Sequence, residues 1–435
     1  MRKFRKTYKR KNKKVKLAKR GSVSFFNKKR KNLYSKILLI LILYIFLFCY
    51  NNNNSENVND DYILSWNKTI DKDINEEYND AQIFMEQVMN GTEFYKNKKY
   101  YVSSNPKLSI VITVYNGEAY LKTILLSIQN QDFKDVEIVM IDDCSKDNSV
   151  NLIKKLMKTE PRIVLYKNKE NKGMLYTKTK GVLLSRGKYV MLMDEDDIYV
   201  QKEAFSTLYV EAEKNNLDIL GFVGLHTEFT SSNITRDRPD FSDRKRIIYQ
   251  PELSNLMYGI TSDGIVYQKS HGTLWNHLIR TDLFKKVINQ IDEKNLNERM
   301  NFHDDYILFF LLTRSAKSIK YIDRFFYVVY HVWKYDDKVK FRLEIKMQNR
   351  ENDSCFAYLN FLEILFKNTK YTYEDKKIAF TQLENWYLNK DICRTNKITR
   401  KRAIEVFKFY LDNEFVSKED KKKLKDFINN EPNLI

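Results

Sequence analysis

The sequence predicts an α/β protein whose parallel strands collect carboxylates at one edge of a sheet. Three observations carry this prediction. Short β-branched apolar runs recur at Leu108–Tyr115, Val136–Asp143 and Tyr189–Met193. Helix-period stretches at Glu118–Gln129 and Ser149–Met157 follow the first two, the pattern of parallel strands joined by right-handed crossovers. Each run also ends in residues able to do chemistry: Tyr115, Asp142-Asp143, and Asp194-Glu195-Asp196-Asp197. Open sheets of this kind bind ligands beyond the carboxyl ends of their strands, so one crevice can gather all three groups.

In chain order, residues 1–36 form a basic tail. They contain 17 Lys or Arg and no Asp or Glu, and they supply nearly all of the net charge of +19. The remainder of the chain carries only +2. A basic run of this kind fits RNA binding or nuclear import when taken alone. The next segment argues otherwise, and the reading excludes nucleic acid as a partner. Residues 37–50, ILLILILYIFLFCY, carry no charge. As a helix they span about 21 Å, and about 27 Å if the apolar stretch begins at Leu33 with Lys36 snorkelling, which approaches a thin bilayer core. We read this as an uncleaved single transmembrane anchor, since the basic region is too long for a signal peptide. The positive-inside rule leaves residues 1–36 cytosolic and residues 51–435 across the membrane, a type II topology in the Golgi or endoplasmic reticulum. Residues 51–105 are polar and rich in Asn, and read as a stem. Cys355 and Cys393 are available to pair in an oxidising lumen, although no framework spacing supports it.

Residues 106–335 are expected to form the catalytic domain. In it, Asp194–Asp197 place four acidic groups directly after an apolar strand. Such a density of carboxylate is either a solvated loop or a site for a hard cation that also holds a diphosphate. Further on, residues 227–249 read as a polar, Arg-rich loop, and Leu217–Val223 and Phe325–Tyr330 as strands. His303-Asp304-Asp305 opens an amphipathic helix. Residues 336–435 read as Lys-rich amphipathic helices at Asp353–Phe366, Tyr373–Trp386, Arg400–Asn413 and Lys418–Ile428, with no evident chemistry.

Taken together, LSIVITVYNGEAYLKTILLSIQNQ, VEIVMIDDCSKDNS, NKENKGMLYTKTKGVLLSRGKYVMLMDEDD and HDDYILFFLL resemble the family 2 inverting glycosyltransferases of GT-A fold. The likeness runs from about Lys107 to His331. Cys144 stands where many relatives have Gly, and Lys178-Thr179 where many have Arg-Asn. The resemblance implies a Rossmann-like mixed sheet, a nucleotide-diphosphate sugar donor (UDP being usual), a divalent cation (Mn²⁺ or Mg²⁺), and a carbohydrate, glycoprotein or lipid acceptor. It also implies roles for individual residues. Tyr115 stacks on the nucleobase with Thr113 one pleat behind, and Asp143 accepts from a base N–H. Asp196 binds the metal directly, with Asp194 nearer the ribose or sharing the metal. Asp305 is the general base.

Other positions keep more than one reading. Lys178 either adds positive charge at the pyrophosphate or is a solvated surface lysine. His331 either reaches the metal or is structural. Trp275, in GTLWNHLIR, stacks on a sugar or packs in the core. Asp304, and equally Asp305, acts in the site or caps its helix, and Asp142 acts in the site, caps a helix or sits in a solvated loop. A sugar-nucleotide pyrophosphorylase is disfavoured because VYNGEAYLK is not a Gly-rich loop ending in Arg or Lys. The rival from another class is a membrane-anchored nucleotide-sugar or glycan-binding protein that has lost catalysis.

Overall fold

The computed structural model describes residues 103–435 apart from 229–233, 238–245, 263–265, 269–271, 332–353, 385–396, 414–415 and 430–435. The basic tail, the anchor and nearly all of the stem therefore lie outside the described residues. Among the described residues, no helix is long and apolar enough to cross a membrane.

The sheet begins with β1 (Leu108–Val114), β2 (Val136–Asp142), β3 (Ile163–Lys167) and β4 (Tyr189–Asp194), which lie side by side and parallel in the order β3-β2-β1-β4. Every residue of β1 and β2 is buried, because helices cover both faces. The pleat then sorts alternate residues into two cores. Ile110, Ile112, Ile138, Met140, Met191 and Met193 enter one. Val111, Val139, Ile141, Val190 and Leu192 enter the other. Thr113 and Asp194, partners in the β1–β4 register, fall on this second face.

Beyond β4 the sheet becomes mixed. The strand His277–Arg280 runs antiparallel between β4 and Ile219–Glu228, and Ser318–His331 runs parallel to Ile219–Glu228. A short strand, Ile234–Asp237, pairs with Ile219–Glu228 inside the stretch expected to be a loop at residues 227–249. That expectation is corrected for residues 234–237: their backbone pairs antiparallel with Gly224–Thr227, and β-branched Ile234 and Thr235 suit a strand. The strand Ile163–Lys167 was not anticipated either. Its run is short, and its two terminal residues, Tyr166 and Lys167, are exposed.

The second face is covered by α1 (Met174–Leu184), α2 (Thr281–Ile288), α3 (Asp304–Ser315) and the C-terminal helices, all within one continuous core. Phe361 packs edge-on to both Tyr306 and Phe310, so the helix at residues 354–367 forms part of the same body as the sheet. Cys355 there is disulfide-bonded, and its partner lies outside the described residues.

Two glycines set α1. Gly181 lets it approach the sheet, since a Cβ there would lie 2.3 Å from Val111 Cγ1. Gly173, at the N-cap, has φ of 85° and forms a bridge with Met300, while the Met174 N–H donates to the Met300 carbonyl at 2.6 Å. The start of α1 is thus tied to the segment that leads into α3. A Cβ on Gly173 would lie 2.7 Å from both backbone N and O of Met300. Gly173→Ala is therefore expected to lower stability by roughly 2–4 kcal/mol, combining left-handed strain with overpacking. Urea denaturation should show an earlier midpoint at an unchanged slope.

Candidate active site

The parallel strands end together. Val114 pairs with Asp142, and Thr113 with Asp194, so Tyr115, Asp143 and Asp194 emerge at one edge. Two loops there are cross-linked. The Asn116 N–H donates to Ser145 Oγ at 2.9 Å, and the Lys146 N–H donates to Asn116 Oδ1 at 2.8 Å. Asn116 and Cys144 both adopt positive φ, 58° and 65°. The Cys144 backbone thus takes the conformation that a Gly would adopt without strain.

Tyr115 is 39% exposed at the edge, high for a large aromatic residue. Thr113 behind it is buried, and its hydroxyl has no hydrogen-bond partner among the described residues. Asp143 is buried and engaged: Oδ1 accepts from the Lys172 N–H and from Asn168 Nδ2, and Oδ2 accepts from the Gly173 N–H. In this state it holds the turn that starts α1 and retains little capacity for a nucleobase. Asp142 Oδ2 accepts from the Ser145 N–H at 3.1 Å and so holds the turn after β2. Trp275 is buried in the sheet core, which settles its two readings in favour of packing.

The centre of the site is Lys178. Leu175, Lys178 and Val182 share one face of α1 at helical spacing, and Leu175 and Val182 anchor that face in the core. Lys178 is consequently not a surface lysine; its side chain is 6% exposed. Its ammonium lies 2.5 Å from Asp305 Oδ1, 3.0 Å from Asp304 Oδ2 and 3.7 Å from Asp194 Oδ1. Burial works against its charge, but the three carboxylates outweigh burial and hold it protonated well above the ordinary lysine range.

The three acids differ in access. The side chains of Asp304, Asp305 and Asp194 are 7%, 20% and 32% exposed. Asp305 therefore reaches solvent, whereas Asp304 faces inward. Besides Lys178, Asp305 has the Leu274 N–H donating to Oδ2 at 3.3 Å. Burial pushes the Asp305 carboxyl up to about 6, with Asp304 adding to the rise and Lys178 opposing it. Both acids lie in the first turn of α3, where the helix dipole favours anions.

Among the described residues, no group of three or more His, Cys, Asp or Glu is disposed around a common metal position. The donor chemistry at the mouth nevertheless suits a hard cation. Asp194 and Asp196 are partly exposed carboxylates, and such an ion takes its remaining oxygens from diphosphate and water. His331 ends the strand Ser318–His331, opposite Glu228 in register. Its side chain lies outside the described residues. Asn168 as a donor to Asp143 and the Leu274 N–H were missed from sequence. Asp304 had kept two readings, and it joins the charge cluster at Lys178.

Residues 109–288 match the family described as Glycosyl transferase family 2. Over 223 residues the chain is 26% identical to an uncharacterized glycosyltransferase, EpsJ, of Bacillus subtilis, covering 51% of this chain and 60% of that protein. Over 194 residues it is 27% identical to the GalNAc(5)-diNAcBac-PP-undecaprenol beta-1,3-glucosyltransferase of Campylobacter jejuni, covering 41% and 62%. The match thus spans about three-fifths of the length of these relatives. Among solved structures, S. aureus TarS 1-349 in complex with UDP-GlcNAc superposes with a TM-score of 0.51 at 14% identity, covering 74% of this chain and 87% of that one. The mixed sheet with flanking helices is of the GT-A type.

Lys178→Met would leave three carboxylates facing each other without a counter-ion. Removing one partner of a buried ionic group costs about 3–5 kcal/mol, and we expect a loss of that order at neutral pH. The unpaired acids would have raised folded-state pKa values, so the deficit should shrink as pH falls and they protonate. Thermal melts at pH 5 and pH 8 check this; a deficit equal at both would contradict the charge-cluster account.

Proposed function

We propose that this chain is a metal-dependent inverting glycosyltransferase. It would move a sugar from a nucleotide-diphosphate sugar, a UDP-sugar in the first instance, to a hydroxyl of a glycan, glycoprotein or lipid acceptor. The observation that carries the reading is the pairing of a solvent-reaching, raised-pKa carboxylate, Asp305, with strand-end groups suited to a nucleotide diphosphate. The family match over residues 109–288 supports it. So do the glucosyltransferase activity for which the Campylobacter relative is named and the UDP-GlcNAc held by the structural neighbour.

In this reading Tyr115 stacks on the base, with the Thr113 hydroxyl behind it. Asp196, assisted by Asp194, would hold a divalent cation, which when bound compensates the charge developing on the leaving diphosphate. Asp305 takes the proton from the acceptor hydroxyl during a single in-line displacement that inverts the anomeric carbon. Lys178 fixes the direction of Asp305 and keeps enough of it ionised near neutrality to serve as a base.

The rate should rise with pH through a limb near 6, because Asp305 must be deprotonated to act and is protonated below its pKa. Asp305→Asn should abolish that limb and cut turnover by about 10²–10⁴ with UDP affinity retained. Initial rates from pH 5 to 8, with and without manganese and across a panel of nucleotide sugars, provide the measurement. A retained anomeric configuration would refute inversion, and manganese-independent rates would remove the cation. UDP binding without any transfer or sugar-nucleotide hydrolysis would favour the binding-protein alternative.

We further propose the single-pass type II arrangement, with the basic tail cytosolic and the catalytic domain in the Golgi or endoplasmic reticulum lumen. Protease added to intact microsomes should then trim the tail and spare the rest. Digestion of the catalytic domain without detergent would reverse the orientation.

A further inference from the structure

The C-terminal helices hold the short segment that presents the two acids of α3. This segment runs from Glu298, the C-cap of the helix Glu293–Asn297, to Asp305. It is fixed at three points. At its centre, Met300 is bridged to Gly173 on the donor side. At its start, Glu298 Oε1 lies 2.7 Å from Arg402 Nη2, which comes from the helix Lys397–Leu411. At its end, His303 adopts a left-handed conformation with φ of 60°, and its Nε2 lies 3.0 Å from Ser354 Oγ of the helix at residues 354–367. Two of the three fixings therefore come from a region whose sequence carries no chemistry of its own.

The Arg402 contact is part of a larger polar knot. The same Nη2 pairs with Glu363, which also accepts from Lys294 and from Asn295 Nδ2. Asn360 donates to the Asn295 carbonyl at 3.1 Å. Arg402 and Glu363 are buried, and Glu298 is nearly so. A buried ionic knot is poor adhesive. Apolar residues of similar volume usually stabilise as well or better, whereas fixed charges with directional hydrogen bonds impose a geometry. Adhesion is already supplied here by Phe361, Phe310, Phe407 and Phe427.

We infer that Arg402, through Glu298, is a positioning residue for the acceptor-side base: it sets the register of residues 298–305 and hence where Asp305 points. The inference rests on the glycosyl-transfer reading for its effect on rate, but not for its effect on the segment. A displacement of about 1 Å at a reacting group can cost about 10² in rate. Loss of the clamp should therefore lower kcat, while the strand-end groups of β1, β2 and β4, which belong to the sheet, keep their places.

The test uses the full chain carrying Arg402→Met together with Glu298→Gln, which strands no charge at Glu298, while Glu363 keeps Lys294 and Lys367 as counter-ions. Amide hydrogen exchange should accelerate at least tenfold over residues 300–305 while the strands β1, β2 and β4 exchange as in the wild type. With the donor that supports turnover, kcat should fall by 10- to 100-fold, with donor KM within twofold. Arg402→Lys should recover part of both effects. Unchanged exchange over residues 300–305 would overturn the inference, as would a fall in melting temperature with kcat unaltered. A wild-type chain inert toward every nucleotide sugar would instead overturn the glycosyl-transfer reading, and the exchange result would still decide the clamp.

Discussion

An ammonium group removed from water needs compensating charge at close range, and Lys178 finds it in three acids from two separate elements. Asp194 arrives from the end of a strand, and Asp304 and Asp305 from the first turn of a helix more than a hundred residues later in the chain. The pairing fixes the distance between the edge of the sheet and that helix. It also leaves the group with excess negative charge, since one cation faces three carboxylates. Excess negative charge of this kind attracts cations.

The rest of the architecture serves this arrangement. The two-faced sheet sends Thr113 and Asp194 to the side covered by α1 and α3. Gly181 brings α1 close to β1, and Gly173 ties its start to Met300. Asp143 secures the same turn with three hydrogen bonds. The C-terminal helices then close the core from the far side, placing aromatic mass behind Tyr306 and Phe310 and a polar knot behind Glu298.

The chemistry follows from unequal exposure among groups of one type. Asp304 and Asp305 are neighbours with the same side chain, yet one turns inward and the other reaches solvent while touching Lys178 and the Leu274 N–H. The accessible one has the raised pKa of a group suited to proton abstraction. Asp194, the most exposed of the three, ends β4 at the edge of the sheet.

The residues by themselves determined the parallel strands, the helices between them and the carboxylates at the strand ends. These depend on local periodicity and on the rule that strand ends form the ligand edge, both of which are written in consecutive residues. It was the resemblance to a known family, and no local pattern, that assigned Asp194, Asp196 and Asp305 to one candidate site. The burial of Lys178 was not legible, because its helix carries polar residues on either side and nothing local shows that two further acids will cover it. The engagement of Asp143 by the loop before α1, the core position of Trp275 and the short strand Ile234–Asp237 depend likewise on partners distant in sequence. The same holds for Arg402 and Glu298, separated by about a hundred residues and joined only when the C-terminal helices pack. Short-range patterns specify which elements form; long-range packing decides which charges meet, since a side chain's solvation and counter-ions exist only once the elements are assembled.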